Sequence, residues 1–214
     1  MAHEQLNLVE LRKIFTSSLA SDCLDKLGYG RQVLNEDINM LSGSGIMMGY
    51  AFPVRLEIVN SFPDVPYIGL LKALDAVGKD HVYVTPTNRT GLAALWGELL
   101  ATACAFKGVA GALTDGPTRD LSRTDAMGFK VFATGTLPVD INGRYEVVEH
   151  NVSCEIDGVT INPGDLIFSG NQIQGFWLTG WLHNKSFLQS IKTALCFDLK
   201  DQMGIENIKK REEE

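Results

Sequence analysis

The chain is poor in basic residues, with 19 Lys and Arg against 26 Asp and Glu and a formal net charge of −7. Nucleic-acid binders carry a basic footprint, so no nucleic-acid partner is expected. No run of about 18 apolar residues is present to span a bilayer, and the N-terminal Met1-Ala2-His3-Glu4 is polar, with no secretory leader. Membrane association is therefore not expected, and a cytoplasmic location is. Cysteine is sparse: Cys23, Cys104, Cys154 and Cys196 form no CxxC, and the expectation is buried, reduced thiols. His3, His81, His150 and His183 make no short-spaced ligand pair, which argues against a zinc site. No G-x-S-x-G elbow occurs. The stretch Gly43-Ser44-Gly45-Ile46-Met47-Met48-Gly49 has the wrong spacing for a dinucleotide loop and reads as a turn before a strand.

What remains is a chain of 214 residues, 45% hydrophobic and 21% charged, enough for one domain with a substantial core. No repeat or low-complexity linker divides it. Residues 6–27 carry helical periodicity through Leu8, Leu11, Phe15, Leu19, Cys23 and Leu27, stopped by Gly28 and Gly30. Residues 46–60 place Tyr50, Phe52, Val54, Leu56 and Ile58 on one parity, a strand with one buried face. Asp64 to Val77 reads as a second helix. These make a mainly helical N-terminal part, 6–77. From 81 to 133 the texture becomes βαβαβ, predicting a parallel sheet. Residues 138–182 are β-rich, with Asp157-Gly158 a strong hairpin turn, and a final helix is expected over 184–210. The fold class is mixed α/β.

Two segments carry the chemistry. If a helix begins at Gly97, the N–H groups of Leu99 and Leu100 have no intrahelical acceptor and could hold an anion, with Glu98 in the first turn. Arg119-Asp120 follow the apolar strand Val109–Leu113 and a Gly116-Pro117 turn, and α/β sheets gather ligands beyond the carboxyl ends of their strands. Arg119 can fork onto a carboxylate or a developing enolate. Asp120 is a hard oxygen ligand suited to Mg²⁺. Taken alone, the first segment is an ordinary helix start and the second an ordinary loop-holding ion pair.

Taken together they resemble the RraA-like family, which includes divalent-metal pyruvate aldolases acting on 4-hydroxy-4-methyl-2-oxoglutarate. The resemblance runs from about Ser18 to Phe168. It rests on Ser21-Asp22-Cys23-Leu24-Asp25-Lys26-Leu27-Gly28, on Leu95-Trp96-Gly97-Glu98-Leu99-Leu100-Ala101-Thr102-Ala103, and on Gly111-Ala112-Leu113-Thr114-Asp115-Gly116-Pro117-Thr118-Arg119-Asp120. Pro138-Val139-Asp140-Ile141-Asn142-Gly143-Arg144 and Ile161-Asn162-Pro163-Gly164-Asp165-Leu166 complete it.

The resemblance implies a swivelling β/β/α domain assembled as a homotrimer or homohexamer, with sites between subunits. It implies Mg²⁺ or Mn²⁺ held by Asp120 directly and by Glu98 through water. Arg119 would contact a small 2-oxo acid whose carboxylate sits on the N–H groups of Leu99 and Leu100, beside Gly97. Glu206 matches a metal-approaching glutamate from a neighbouring subunit. The expected activity is a lyase reaction: retro-aldol cleavage of a 4-hydroxy-2-oxo acid, or oxaloacetate decarboxylation, releasing pyruvate. Neither site segment contains a lysine, which favours metal over Schiff-base chemistry. The chain departs from the family at Thr85, where an Asp is usual, and at Ser169 to Trp177. The alternative is a non-catalytic relative that regulates a ribonuclease by binding it.

Overall fold

The computed structural model describes residues 8–14, 16–26, 28–170 and 176–178. The first periodic stretch forms two helices, α1 (Leu8–Ile14) and α2 (Ser17–Lys26), rather than one. Thr16 ends the continuity. Its hydroxyl accepts the Leu19 N–H at 3.2 Å, a side-chain cap that restarts the helix.

Strand β1 (Asn39–Ser42) leads through a turn into β2 (Met47–Ile58), the longest strand among the described residues. Residues 6–77 are thus not simply helical. Nor does β2 bury one parity only: Met47 and Ala51 enter one core, while Phe52 and Val54 enter another. A central strand covered on both faces loses its alternation. Helix α3 (Ile68–Ala76) starts four residues later than the periodicity suggests. Pro66 disfavours helical backbone at Val65, and Tyr67 precedes the helix at φ 64°.

Then come β3 (His81–Thr85), α4 (Glu98–Phe106), β4 (Gly111–Thr114), the short β5 (Pro117–Thr118), α5 (Leu121–Ala126), β6 (Val131–Ala133) and the short β7 (Gly135–Thr136). Strands β2, β3, β4 and β6 pair in parallel, giving the expected βαβαβ unit. The remaining described strands are β8 (Tyr145–His150), β9 (Cys154–Ile156), β10 (Val159–Ile161), β11 (Leu166–Ser169) and β12 (Phe176–Leu178). Strands β9 and β10 form the hairpin on Asp157-Gly158. The main sheet runs β1-β6-β4-β3-β2-β11-β12, and β8 pairs the far end of β2. The whole is a mixed α/β fold.

Two features of this layout position the cavity described below. Strand β2 is shared: its first half pairs with β3 and β11, and its second half pairs with β8 across an irregularity at Arg55/Leu56. Helix α3 lies on β8 so closely that a Cβ at Gly69 would sit 1.6 Å from the Val147 carbonyl oxygen. Only glycine permits that approach. Beneath α3 and α4 a core of Phe52, Tyr83, Trp96, Cys104 and Phe129 closes the layer. Burial pushes the Cys104 and Cys154 thiols up to about 12, so both stay protonated and inert. Among the described residues no helix is long and apolar enough to cross a membrane.

Candidate functional site

Trp96 brings the two sequence segments together. It is fully buried, stacked on Phe129 with centroids 5.7 Å apart, and edge-on to Tyr83 at 5.2 Å. Its backbone runs beside Thr118 as a parallel bridge. The Trp96 carbonyl accepts the Arg119 N–H at 2.8 Å and the Thr118 hydroxyl at 3.0 Å. The residue after Trp96 therefore lies against the residue after Thr118.

That residue is Gly97. A Cβ there would be 2.6 Å from Asp120 Oδ2 and 3.0 Å from Arg119 Cγ. Gly97 has ordinary extended backbone (φ −167°, ψ −170°), so space and not conformation demands glycine. Asp120 Oδ2 accepts the Glu98 N–H at 3.3 Å, closing one of the free donors of α4. The N–H groups of Leu99 and Leu100 remain without an acceptor among the described residues. Asp120 itself sits at φ 54°, ψ 34°, a left-handed conformation costing on the order of 1 kcal/mol outside glycine. Its carbonyl is fixed by the N–H groups of Arg123 and Thr124, which hold it there.

A cavity of about 520 Å³ opens on this junction. Gly97, Glu98, Leu99, Leu100, Arg119 and Asp120 all line it. The Arg119 guanidinium has an ion pair with Asp140 at 3.0 Å and a longer one with Asp120 at 3.7 Å. Its Nε is buried and makes that 3.7 Å contact, with no closer acceptor among the described residues. Glu98 is half-exposed, and its charged neighbour is Arg123 at 3.9 Å.

Two further residues belong here that the sequence reading left without a role. Asp140 Oδ2 accepts the Tyr67 hydroxyl at 2.6 Å and the Asn142 N–H at 3.1 Å. Burial raises the Asp140 carboxyl, but these hydrogen bonds and the charge of Arg119 outweigh it and hold the group below the usual aspartate range. The Tyr67 hydroxyl is pushed upward, first by its bond to Asp140 and then by burial. Tyr67 and Asp140 are 73 residues apart, and no local pattern marks either. The one available signal was Asp140 within the Pro138-to-Arg144 motif.

Glu206 lies outside the described residues, as does the helix expected over 184–210, and only Phe176–Leu178 of 171–214 is described. Thr85 is fully buried on β3 and does not line the cavity.

The donor set suits a hard divalent ion. Asp120 Oδ2 takes only the long Glu98 N–H, and Oδ1 takes no donor among the described residues. No group of three or more His, Cys, Asp or Glu side chains gathers among the described residues. Protein donors here would be Asp120 and Glu98, within the one or two carboxylates that Mg²⁺ combines with waters.

The fold and site define a mixed α/β protein with a cavity between α3 and the start of α4, lined by the carboxylates of Glu98, Asp120 and Asp140 and by the Arg119 guanidinium. A family model described as "RraA-like: Aldolase/RraA" matches residues 17–172, and the chain belongs to this family. It is 28% identical over 165 residues to Protein DlpA of Legionella pneumophila, covering 76% of this chain but only 26% of that protein. It is 25% identical over 167 residues to a Halalkalibacterium halodurans protein named "Putative 4-hydroxy-4-methyl-2-oxoglutarate aldolase", covering 78% of this chain and 74% of the relative. Its fold matches Streptomyces coelicolor RraAS2, titled an unusual member of the RNase ES inhibitor RraA family, with a TM-score of 0.76. That match is 21% identical and covers 97% of this chain and 99% of the other.

Proposed function

We propose that the chain is a divalent-metal-dependent lyase that cleaves a C–C bond of a small 2-oxo acid and releases pyruvate. The observation that carries this reading is the junction at Gly97, where Arg119 and Asp120, only loosely paired with each other, meet the start of α4 at the cavity. The name of the Halalkalibacterium relative supports the substrate type.

In this reading Asp120 would hold Mg²⁺ or Mn²⁺, with Glu98 as the supporting carboxylate. When bound, the ion supplies Lewis-acid polarisation of the 2-oxo acid. The N–H groups of Leu99 and Leu100 bind the substrate carboxylate at the positive end of α4. Arg119 points its charge at the 2-oxo oxygen, where negative charge develops. In retro-aldol cleavage the C3–C4 bond breaks, and its electron pair moves onto C3 and the 2-oxo oxygen. The C4 hydroxyl proton passes to the Glu98 carboxylate, and C4 leaves as a carbonyl. The same proton, returned to C3, gives pyruvate. Oxaloacetate decarboxylation uses the same electron sink. Asp140 and Tyr67 fix the guanidinium from behind. Assembly as a homotrimer or homohexamer, with Glu206 of one subunit near the site of the next, belongs to the same proposal.

The second reading, a regulator that binds a ribonuclease, follows from what RraAS2's title says of its family. It gives the cavity and its charged floor no task. The test is pyruvate release from oxaloacetate and from 4-hydroxy-2-oxo acids, with Mg²⁺, with Mn²⁺ and with chelator. Metal-dependent release from at least one acid is expected. None from any would remove the lyase reading.

A further inference from the structure

The charged side chains lining the cavity are Glu98, Arg119, Asp120 and Asp140, and most of its remaining lining is apolar: Leu70, Leu71 and Leu74 of α3, Leu99 and Leu100 of α4, with Leu95 and Ile141. Among the described lining residues Arg119 is the only cation. The cations nearby are engaged elsewhere. Lys107 donates to the carbonyls of Leu74 and Asp75. Arg144 donates to the carbonyls of Asp140 and Asn142, and Arg123 lies by Glu98. Beyond Leu71, Leu74 and Leu99 lies a trough of about 900 Å³ between α3 and α4, lined also by Thr102, Ala103 and Phe106, with Asp75 and Lys107 among its charged groups. Leu71 is 58% and Leu99 81% exposed, so these side chains present apolar surface rather than filling the core.

We infer that the retro-aldol substrate of this chain carries an apolar group at C4, an alkyl or aryl substituent, in place of the second carboxylate that the name 4-hydroxy-4-methyl-2-oxoglutarate denotes. The inference rests on the lyase reading. A 2-oxo acid head uses Arg119 and the Leu99 and Leu100 N–H groups, and its C4 end then meets the leucine wall. A carboxylate placed against these leucines loses water and meets no cation but Arg119 among the described residues lining the cavity, which is unfavourable. An alkyl or aryl group is stabilised by burial of its surface.

The experiment compares kcat/KM for metal-dependent pyruvate release from 4-hydroxy-2-oxo acids that differ only at C4: carboxylate, hydroxymethyl, alkyl and phenyl. The alkyl or phenyl acid is expected to exceed the carboxylate acid by about tenfold or more. Leu71→Arg places a cation on the wall and should lower that ratio by about tenfold. Leu99→Lys, at the more exposed position, serves if the first variant does not fold. Equal rates, or preference for the carboxylate acid, would overturn the inference while the lyase reading stands. A wild-type apolar preference unchanged by both cations would overturn the role of this wall. No pyruvate from any acid would remove both readings together.

Discussion

Two arginines in this molecule each stand between two aspartates, and they are used in opposite ways. Arg89 donates to Asp157 through Nε at 2.6 Å and Nη2 at 2.7 Å, and to Asp37 through Nη1 at 2.6 Å and Nη2 at 3.1 Å. Its guanidinium is paired on both sides, which pushes its own proton affinity further up. Arg119, between Asp120 and Asp140, has one contact at 3.0 Å through Nη2 and one, through Nε, at 3.7 Å, too long for a hydrogen bond. Arg89 ties the loop before β1 to the β9–β10 hairpin and borders no cavity described here. Arg119 lies on a cavity wall. A guanidinium held by two carboxylates through four hydrogen bonds stabilises the fold. One with bonds unmade can give them to a ligand.

The largest effect expected is at Asp120. Asp120→Ala should abolish metal-dependent pyruvate release with a stability loss of only about 1 kcal/mol, reflecting alanine at φ 54°. Asp120→Gly suits that backbone and should be as inactive with less loss of Tm. Activity equal to wild type in either variant, still needing metal, would remove Asp120 from the site.

Arg119→Lys keeps the charge and loses the fork. Turnover should fall by about tenfold to a thousandfold with little change in Tm. A Lys variant as fast as wild type would show that bidentate geometry has no part in the reaction.

At the other arginine the outcomes should invert. Arg89→Met leaves the Asp157 side chain, 4% exposed, without its main partner. A loss of about 1–3 kcal/mol is expected with pyruvate release unchanged. This loss should depend on pH with a definite sign. The Asp157 carboxyl is held low first by its hydrogen bond to Arg89, against burial, with help from the Asn35 N–H. A depressed folded value contributes stability that is complete above the unfolded value, ordinarily 3.8, and is lost as pH falls through the folded one. The difference in Tm between wild type and Arg89→Met should therefore be full near neutrality and shrink in acid as Asp157 is protonated. A gap independent of acid would detach Asp157 from the effect.

Local signals in the sequence carried much of this. The βαβαβ unit, the Asp157-Gly158 hairpin and the start of α4 at Gly97 each follow from a few adjacent residues, and the structure has all three. Misjudged boundaries came from single residues that override a period: the Thr16 cap within the first helical stretch, and Pro66 before α3. The buried second face of β2 depends on what packs there, which periodicity does not encode. At the site, the two segments with charged groups were legible. Their contact through a missing Cβ was not, nor was the Tyr67–Asp140 support, because both arise from chain segments that meet only after folding.

The shared strand β2 has an evolutionary consequence. Glu98, Arg119 and Asp120 are carried by the start of α4 and the residues between β5 and α5. Leu70, Leu71 and Leu74 are carried by α3, which rests on β8 at the other end of β2. Substitutions that reshape α3 need not disturb the Gly97–Asp120 junction. Descendants of such a chain could acquire new leaving groups one leucine at a time while inheriting the reaction unchanged.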